Sequence, residues 1–308
     1  MATAVFAGLV LAEVGLRVAA WLGAKNDLAV WRHQTAAAMH LTPGQSVRLG
    51  QMVRPATDPD IVYELLPDLD VTFCEQSVRT GKLGCRGGDP PPQREPGSFL
   101  LLGLGDSVMF GSSVATDATF LAVLERELQQ HYPEHHITTV NTGVPGYNTT
   151  MEVATLASKF VSLHPDVVLI DFVENDFDLP NFLLLPVDPL RTDELFLWDL
   201  AHRALRKGRD PNGPLEVAPM ANTQHFESDP GRVPAAYAHM VGVGAYRAAL
   251  TRLRDLSREH GFRVLVSCHT EINASARQVC AELGLPVVTA AARQREWLAA
   301  HGNQALRA

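Results

Sequence analysis

This sequence of 308 residues contains four cysteines, and their spacing is not that of metal ligands. Cys74 and Cys85 are eleven positions apart, and Cys268 and Cys280 are twelve apart. Structural zinc sites use much shorter spacings of the CxxC type, so the sequence predicts no metal site. The open alternatives are small apolar side chains and, in an oxidising compartment, a disulfide between Cys74 and Cys85.

The chain also lacks an excess of basic residues. It carries 26 lysines and arginines against 34 acidic residues, a formal charge of −8, and no basic stripe that would neutralise phosphates. Nucleic acid is therefore not a predicted partner. With 46% apolar and 19% charged residues the composition is that of a globular protein, and the length allows one α/β domain with an appendage.

Residues 1–24 form the most apolar stretch, and they lack the basic segment that opens a signal peptide. Their length matches the roughly 20 residues of a membrane-spanning helix. Glu13 and Arg17 interrupt the stretch, but they are four positions apart and can pair on one helix face. We therefore expect an uncleaved, apolar membrane-anchor helix here. The alternative is an amphipathic helix docked on the globular domain.

Proline and glycine break up residues 25–97, which end in the run CRGGDPPPQREPG. Such a run excludes a helix and is typical of a linker or surface loop. We expect an irregular lead-in with a hairpin near residues 71–83, followed by a change of pattern at residue 98.

From residue 98 to residue 308, apolar strand segments alternate with segments of helical period. The strand segments are SFLLLGLG, HHITTVN, DVVLIDFV, RVLVSC and PVVTA. This alternation predicts a parallel sheet covered by helices on both faces, a doubly wound α/β architecture. Ligands in such sheets bind beyond the carboxyl ends of the strands, so we expect the functional site at these strand ends.

The first of these strands is followed by GDSVMFG, which contains Ser107. A serine at a strand-to-helix turn lies at the ligand-binding edge, and the helix amides can stabilise negative charge. Gly103 and Gly105 also begin the GxG pattern of a dinucleotide loop. That alternative fails, because Val108 holds the third glycine position and the next strand ends in Asn141 rather than in an acidic residue.

The second and third strands end in polar turns of their own. NTGVPGYNT contains Gly146, where a backbone N–H can approach a reacting group, and DFVENDFD contains Asn175, whose side-chain amide can point to the same place. Taken singly, these segments are also typical of a plain loop and a helix cap. Together with Ser107 they supply the nucleophile and the oxyanion donors of acyl transfer.

These three blocks resemble those of the SGNH hydrolases, the GDSL esterase and lipase superfamily, and the resemblance runs from about residue 96 to the C-terminus. It implies a flavodoxin-like three-layer α/β/α sandwich with a five-stranded parallel sheet. It also implies that Ser107 is the nucleophile and that Gly146, Asn175 and the Ser107 amide form the oxyanion hole. Val173 departs from the family's GxND block and could narrow the site.

The resemblance further implies an esterase, lipase or carbohydrate deacetylase that forms an acyl-enzyme, needs no cofactor and acts on a small-molecule, lipid or glycan ester. The alternatives are an O-acyltransferase of the same fold and a catalytically dead module that binds carbohydrate or lipid. The layout is similar to that of membrane-anchored bacterial members, which implies membrane contact and an extracytoplasmic location. Arg17, Lys25 and Arg32 oppose this orientation under the positive-inside rule.

The family's fourth block, a DxxH after the fifth strand that supplies the general base, is absent, because Asp255 is the last aspartate. Asp199 and His202 form a DxxH elsewhere, His269 ends the fourth strand, and His301 has no acidic residue three before it. Loss of a triad histidine costs about 10⁶ in kcat. We expect either that the sequence stops short of the DxxH helix or that the protein is a pseudo-hydrolase; the intact nucleophile and oxyanion donors favour the first.

Residues 179–234 form a long insertion after the third strand and are expected to overhang the site. An insertion longer than ordinary connections suggests a lid or substrate wall. The alternative is a helical hairpin that packs on the sheet edge. The large apolar side chains that could line an acyl or sugar pocket are Phe182, Leu183, Phe196 and Trp198.

Overall fold

The N-terminal segment of the chain is helical. The computed structural model describes residues 2–23, 41–90, 94–180, 195–198, 233 and 235–291, together with residues 293 and 296. Helix α1, Ala2–Gly23, occupies the segment predicted as an anchor. Within the described ranges, no helix has the length and apolar character needed to cross a membrane, so the membrane-anchor prediction for residues 1–24 finds no support.

The charged residues of α1 contact another part of the chain. Glu13 and Arg17 pair at 2.7 Å, as their spacing predicts. The Glu13 carboxylate also accepts hydrogen bonds from the backbone N–H groups of Phe196 at 3.0 Å and Leu197 at 2.8 Å. The Arg17 guanidinium lies 4.7 Å from the centre of the Phe196 ring. These contacts join α1 to Phe196 and Leu197 of the segment that follows β8.

The lead-in contains more regular structure than its proline and glycine content predicts. Its elements are β1 Gln45–Ser46, α2 Leu49–Met52, β2 Val53–Pro55, β3 Tyr63–Leu65, β4 Asp70–Phe73 and β5 Gln76–Arg79. β4 and β5 form the predicted hairpin, β1 pairs in parallel with β4, and β2 is antiparallel to β3. The suggested disulfide is wrong, because Cys74 is exposed, Cys85 is buried and both are free thiols.

A single parallel sheet forms the centre of the remaining chain. Its strands are β6 Phe99–Leu104, β7 Ile137–Asn141, β8 Val167–Asp171, β9 Arg263–Cys268 and β10 Val287–Thr289. They lie in the order β10-β9-β8-β6-β7, which is the 2-1-3-4-5 order of flavodoxin-like folds. The predicted five-stranded parallel sheet is confirmed. The order reverses at β6, so the carboxyl ends of β6, β7 and β8 mark the expected site.

Helices cover both faces of this sheet, as the apolar strand runs predict. They are α3 Ser107–Phe110, α4 Phe120–His131, α5 Thr149–Thr155, α6 Gly242–His260 and α7 Ala274–Leu283. Successive residues of β6 point to opposite faces: Leu100 and Leu102 share a core with α5, α6 and α7, whereas Leu101 packs with Met109 of α3 and Leu121 of α4. Each fully buried leucine contributes about 1.5–3 kcal/mol. The result is a three-layer sandwich.

The lead-in and the turn after β7 share a second hydrophobic core. Met52 and Tyr63 of the lead-in are fully buried there, together with Val144 and Tyr147 of the turn and Phe110 of α3. Because this core includes the last residue of the helix that begins with the predicted nucleophile, the lead-in forms one side of the site.

Candidate active site

Ser107 is the first residue of α3, directly after the turn that follows β6. Asp106 caps this helix, because its Oδ1 accepts a hydrogen bond from the Val108 backbone N–H at 2.8 Å. The Ser107 hydroxyl lies 3.4 Å from the Asp106 Oδ2. At the other end, the Gly111 N–H donates to the Ser107 and Val108 carbonyls at 3.1 Å and 3.0 Å. Both ends of this four-residue helix are therefore fixed by hydrogen bonds.

The end of β7 is tied to the same helix. The Asn141 side chain donates from Nδ2 to the Met109 carbonyl at 2.8 Å, and its Oδ1 accepts from the Gly143 N–H at 3.0 Å. A Cβ added to Gly143 would stand 2.5 Å from the Phe110 nitrogen, too close for any side chain. Because residue 143 is glycine, the end of β7 can lie against the backbone of α3.

Gly146 lies three residues further along the same turn, with φ of +81°, a conformation that favours glycine. The Tyr63 hydroxyl donates to the neighbouring Pro145 carbonyl at 2.9 Å, and the Tyr147 hydroxyl donates to the Tyr63 carbonyl. Asn148 then caps α5 by accepting from the Met151 N–H at 3.2 Å. The turn that carries the predicted backbone donor is thus held on both sides of the glycine.

Asn175 lies in the 3₁₀ turn Glu174–Phe177 that follows β8. Its Nδ2 donates to the Asp106 Oδ2 at 3.0 Å, so the third strand end reaches the residue next to Ser107. A side-chain amide carries two N–H donors, so one can bind Asp106 and orient the group while the other stays available for an oxyanion. Val173 has φ of −126°, which is extended backbone, so its departure from the glycine of GxND costs no strain.

A group of buried carboxyls lies behind these residues. Burial raises the pKa of Asp106, Glu152 and Asp176, and the nearby charges of the group raise the pKa values of Glu152 and Asp176 further. Within the part of the chain that the structure describes, neither Glu152 carboxyl oxygen has a hydrogen-bond partner, and Asp176 uses only Oδ2, which accepts from the Val173 N–H at 2.8 Å. Neutral, protonated carboxyls suit the positions of Glu152 and Asp176, whereas Asp106 accepts hydrogen bonds from Ser107, Val108 and Asn175 as a carboxylate does.

Arg86 is a residue that the sequence analysis missed. It is buried, its guanidinium donates to the carbonyls of Phe110, Gly111 and, at 2.6 Å, Val114, and it lies 4.6 Å from the centre of the Phe110 ring. These carbonyls belong to the end of α3 and to the loop after it. Arg86 therefore holds the end of α3 from the lead-in side. The sequence around Arg86 is nevertheless that of a linker.

The histidines proposed as a base divide into two groups. His269 directly follows β9, and its Nδ1 lies 3.9 Å from the Asp171 Oδ2 at the end of β8. Asp199, His202 and His301 lie outside the described residues. The lid prediction for residues 179–234 also falls mostly outside them.

In the described ranges, no group of three or more histidine, cysteine, aspartate or glutamate residues is placed to hold a metal ion. The strand ends carry a serine hydroxyl, amide donors and an imidazole.

Comparisons with known proteins give structural similarities at low identity. No protein-family model and no curated protein sequence matches the chain. A mutant of Axe2, an acetyl-xylooligosaccharide esterase from Geobacillus, is 18% identical with a TM-score of 0.38, over 66% of this chain and 81% of that one. AlinE4, an SGNH-hydrolase family esterase, is 13% identical with a TM-score of 0.36, over 64% of this chain and 77% of that one.

TesA is a third similar structure, 14% identical with a TM-score of 0.36, over 61% of this chain and 76% of that one. The similar structures thus include the family that the sequence motifs resemble. With sequence identities of 13–18% and TM-scores of 0.36–0.38, these similarities assign no function to the chain.

Proposed function

We propose that this protein is a serine ester hydrolase that works through an acyl-enzyme on Ser107. The observation that carries the proposal is the hydrogen bond from Asn175 to Asp106, which brings an amide donor from the end of β8 to the residue beside the nucleophile. Gly143, wedged against the backbone of α3, ties the end of β7 to the same point. Nucleophile and donors from three neighbouring strands are what acyl transfer requires.

In the proposed reaction, the Ser107 Oγ attacks the ester carbonyl carbon and the carbonyl oxygen becomes negatively charged. The backbone N–H groups of Ser107 and Gly146 and the second N–H of the Asn175 amide would stabilise this oxyanion. Each such donor is worth about 10²–10³ in kcat. Loss of the alkoxide leaves an acyl group on Ser107, and water then releases it as the carboxylic acid.

The substrate in this proposal is an ester of a small alcohol, a glycan or a lipid, because all three present the same carbonyl group to the donors. An acyl-enzyme can also pass its acyl group to an alcohol instead of water. The proposal favours hydrolysis, because Ser107 is partly exposed and water therefore reaches its hydroxyl.

The test is labelling with a fluorophosphonate probe together with hydrolysis of 4-nitrophenyl acetate. Ser107→Ala should lose both. Ser112→Ala is the matched control: it removes a hydroxyl from the same loop, and the Ser112 Oγ has no hydrogen-bond partner among the described residues. Labelling at Ser107 in the unmodified chain and in Ser112→Ala supports the proposal. Equal labelling and turnover in Ser107→Ala overturns it.

A further inference from the structure

We infer that His269 is the general base of this site and that Asp171 positions it, in place of the DxxH pair that follows the last strand in the SGNH hydrolases. The inference rests on the proposed function, since a base is needed only if Ser107 is a nucleophile. It assigns the last residue of β8 and the residue directly after β9 to a role that sequence motifs place elsewhere.

The sheet topology brings these groups to one edge. β8 lies between β6 and β9, and all three strands are parallel. Ser107 follows β6, Asp171 ends β8 and His269 follows β9, so the three residues lie at the carboxyl ends of adjacent strands. With strands about 4.8 Å apart, β6 and β9 are separated by roughly 10 Å, a gap that two side chains pointing toward each other can close.

The Asp171 carboxylate is held in place and turned toward the histidine. Its side chain is 7% exposed, and its Oδ1 accepts a hydrogen bond from the Ser267 hydroxyl on β9 at 2.6 Å. The Oδ2 has no hydrogen-bond partner among the described residues and lies 3.9 Å from the His269 Nδ1. Catalytic hydrogen bonds are often long without substrate and shorten in the complex. A small rotation of the ring would complete this one.

This contact fixes the chemical role of each ring nitrogen. With Nδ1 carrying its hydrogen toward Asp171, the His269 Nε2 is the unprotonated nitrogen and can accept a proton. The side chain is 44% exposed, so the ring is accessible from solvent.

Two carboxylates face the imidazole, Asp171 from β8 and Asp106 from the turn after β6. Asp171 raises the pKa of His269 and the charge of Asp106 adds to this, while partial burial opposes both. The same two charges stabilise the imidazolium that forms when the ring takes a proton.

Ser107, His269 and the attacking water account for every proton transfer in the proposed reaction. As the Ser107 Oγ bonds to the carbonyl carbon, its proton passes to the His269 Nε2. When the ester C–O bond breaks, the imidazolium returns this proton to the leaving alkoxide, which departs as the alcohol. In the second half, His269 takes a proton from the attacking water and returns it to the Ser107 Oγ as the acid leaves. No other reactant is needed.

A second histidine–aspartate pair provides a matched control. His239 Nε2 lies 2.9 Å from the Asp60 Oδ1, but both side chains are exposed, and the pair lies outside the strand ends. The geometry of this pair is closer than that of His269 and Asp171. A short histidine–carboxylate distance alone would therefore favour the wrong pair, and the position at the sheet edge decides between them.

The experiment compares hydrolysis of 4-nitrophenyl acetate between pH 5 and 9 by the unmodified chain and four variants: His269→Gln, Asp171→Asn, His239→Gln and Asp60→Asn. His269→Gln should lower kcat by up to about 10⁶-fold, the cost of losing a triad histidine, with little change in KM. Asp171→Asn should lower kcat less and move the acidic limb of the pH profile to lower pH. The two control variants should keep the unmodified activity.

A purely structural role is separated by chemical rescue. Added imidazole should restore part of the activity of His269→Gly, and thermal unfolding should show that this variant is folded. Unmodified turnover by His269→Gln, with Ser107→Ala inactive, overturns this inference and leaves the proposed function standing. Full turnover by Ser107→Ala overturns both. Loss of activity without imidazole rescue, or equal losses in the His239 variant, also overturns the assignment.

Discussion

The Tyr147 hydroxyl and the Tyr63 carbonyl join the turn that carries Gly146 to strand β3, and the Tyr63 hydroxyl adds a second hydrogen bond to the same turn. The Tyr63 hydroxyl donates to the Pro145 carbonyl at 2.9 Å, the Tyr147 hydroxyl donates to the Tyr63 carbonyl, and the two rings meet edge to face at 5.2 Å. Both side chains are fully buried, which raises the pKa of each phenol and keeps it neutral. The lead-in therefore supports the turn of Gly146 directly.

Tyr63→Phe should loosen this turn. The change removes the hydroxyl and leaves the buried Pro145 carbonyl without its donor, which costs about 1–3 kcal/mol of stability. If Gly146 supplies an oxyanion donor, ester turnover should fall by up to about 10²-fold, mainly in kcat, because the donor is misplaced. Thermal unfolding and steady-state hydrolysis measure the two effects.

Tyr132→Phe is the matched control, since Tyr132 is half exposed on the surface. Its stability should change by less than about 0.5 kcal/mol. A Tyr63→Phe variant that unfolds and turns over like Tyr132→Phe would contradict a supporting role for the lead-in.

Arg86→Lys should destabilise the protein although it keeps the charge. The Arg86 guanidinium donates to three backbone carbonyls at the end of α3 and lies against the Phe110 ring, a geometry that a lysine ammonium cannot reproduce. We expect a loss of about 3 kcal/mol, measured by urea unfolding, because buried charged groups lose their partners. Arg79→Lys changes a side chain that is 72% exposed and should be neutral. Equal midpoints for the two variants would refute this role.

The local parts of this site were predictable from sequence, and the long-range parts were not. The strand-turn-helix around Ser107 and the position of Asn175 depend on neighbours in the chain, and both were predicted. Arg86 lies in a glycine- and proline-rich run, where nothing local distinguishes a buried guanidinium from a solvated one. Tyr63 lies in a three-residue strand, too short for its alternation to predict a strand. Both act through carbonyls distant in sequence.

The elements of the fold also divide into those that local sequence predicts and those that depend on long-range pairing. The strand before Ser107 follows the predicted segment, because a run of apolar residues is a local signal. The pairing of β1 with β4, by contrast, joins segments that carry no such signal. The position of His269 beside Asp171 depends on the strand order, which only the folded sheet provides.

Gly143→Ala should both destabilise the protein and displace Ser107. The new methyl group would stand 2.5 Å from the Phe110 nitrogen and 2.9 Å from the Met109 carbonyl carbon, and backbone atoms cannot rotate away. Such overpacking costs about 1–3 kcal/mol. Because the clash pushes on α3, fluorophosphonate labelling of Ser107 should slow as well.

Gly244→Ala makes the opposite prediction. Gly244 is exposed in α6, and a Cβ there would meet no atom of the described residues within 4 Å. Alanine should stabilise this helix by about 0.5–1 kcal/mol. If both glycine variants shifted the unfolding midpoint in the same direction, the close approach at Gly143 would not be the cause.

Glu152 makes stability depend on pH in a direction opposite to that of an ordinary salt-bridged carboxylate. Burial and the neighbouring charge of Asp176 raise its pKa well above the usual 4.5, so the folded protein retains a proton that the unfolded chain releases. The stability from this group is complete below the unfolded pKa and is lost as pH rises toward the folded one. The free energy of unfolding should therefore fall with rising pH by up to about 1.4 kcal/mol per pH unit.

Glu152→Gln keeps the shape of the side chain but removes both the titration and the charge that raises the pKa of Asp176. Urea unfolding between pH 5 and 8 should therefore show a flatter dependence than in the unmodified protein, and the variant should be the more stable of the two at pH 8. Glu134→Gln, at a side chain 65% exposed, should leave the slope unchanged. Parallel slopes for the unmodified protein and Glu152→Gln would mean that Glu152 is ionised in the folded state, and the carboxyl group behind Ser107 would then carry a charge that the buried site must accommodate.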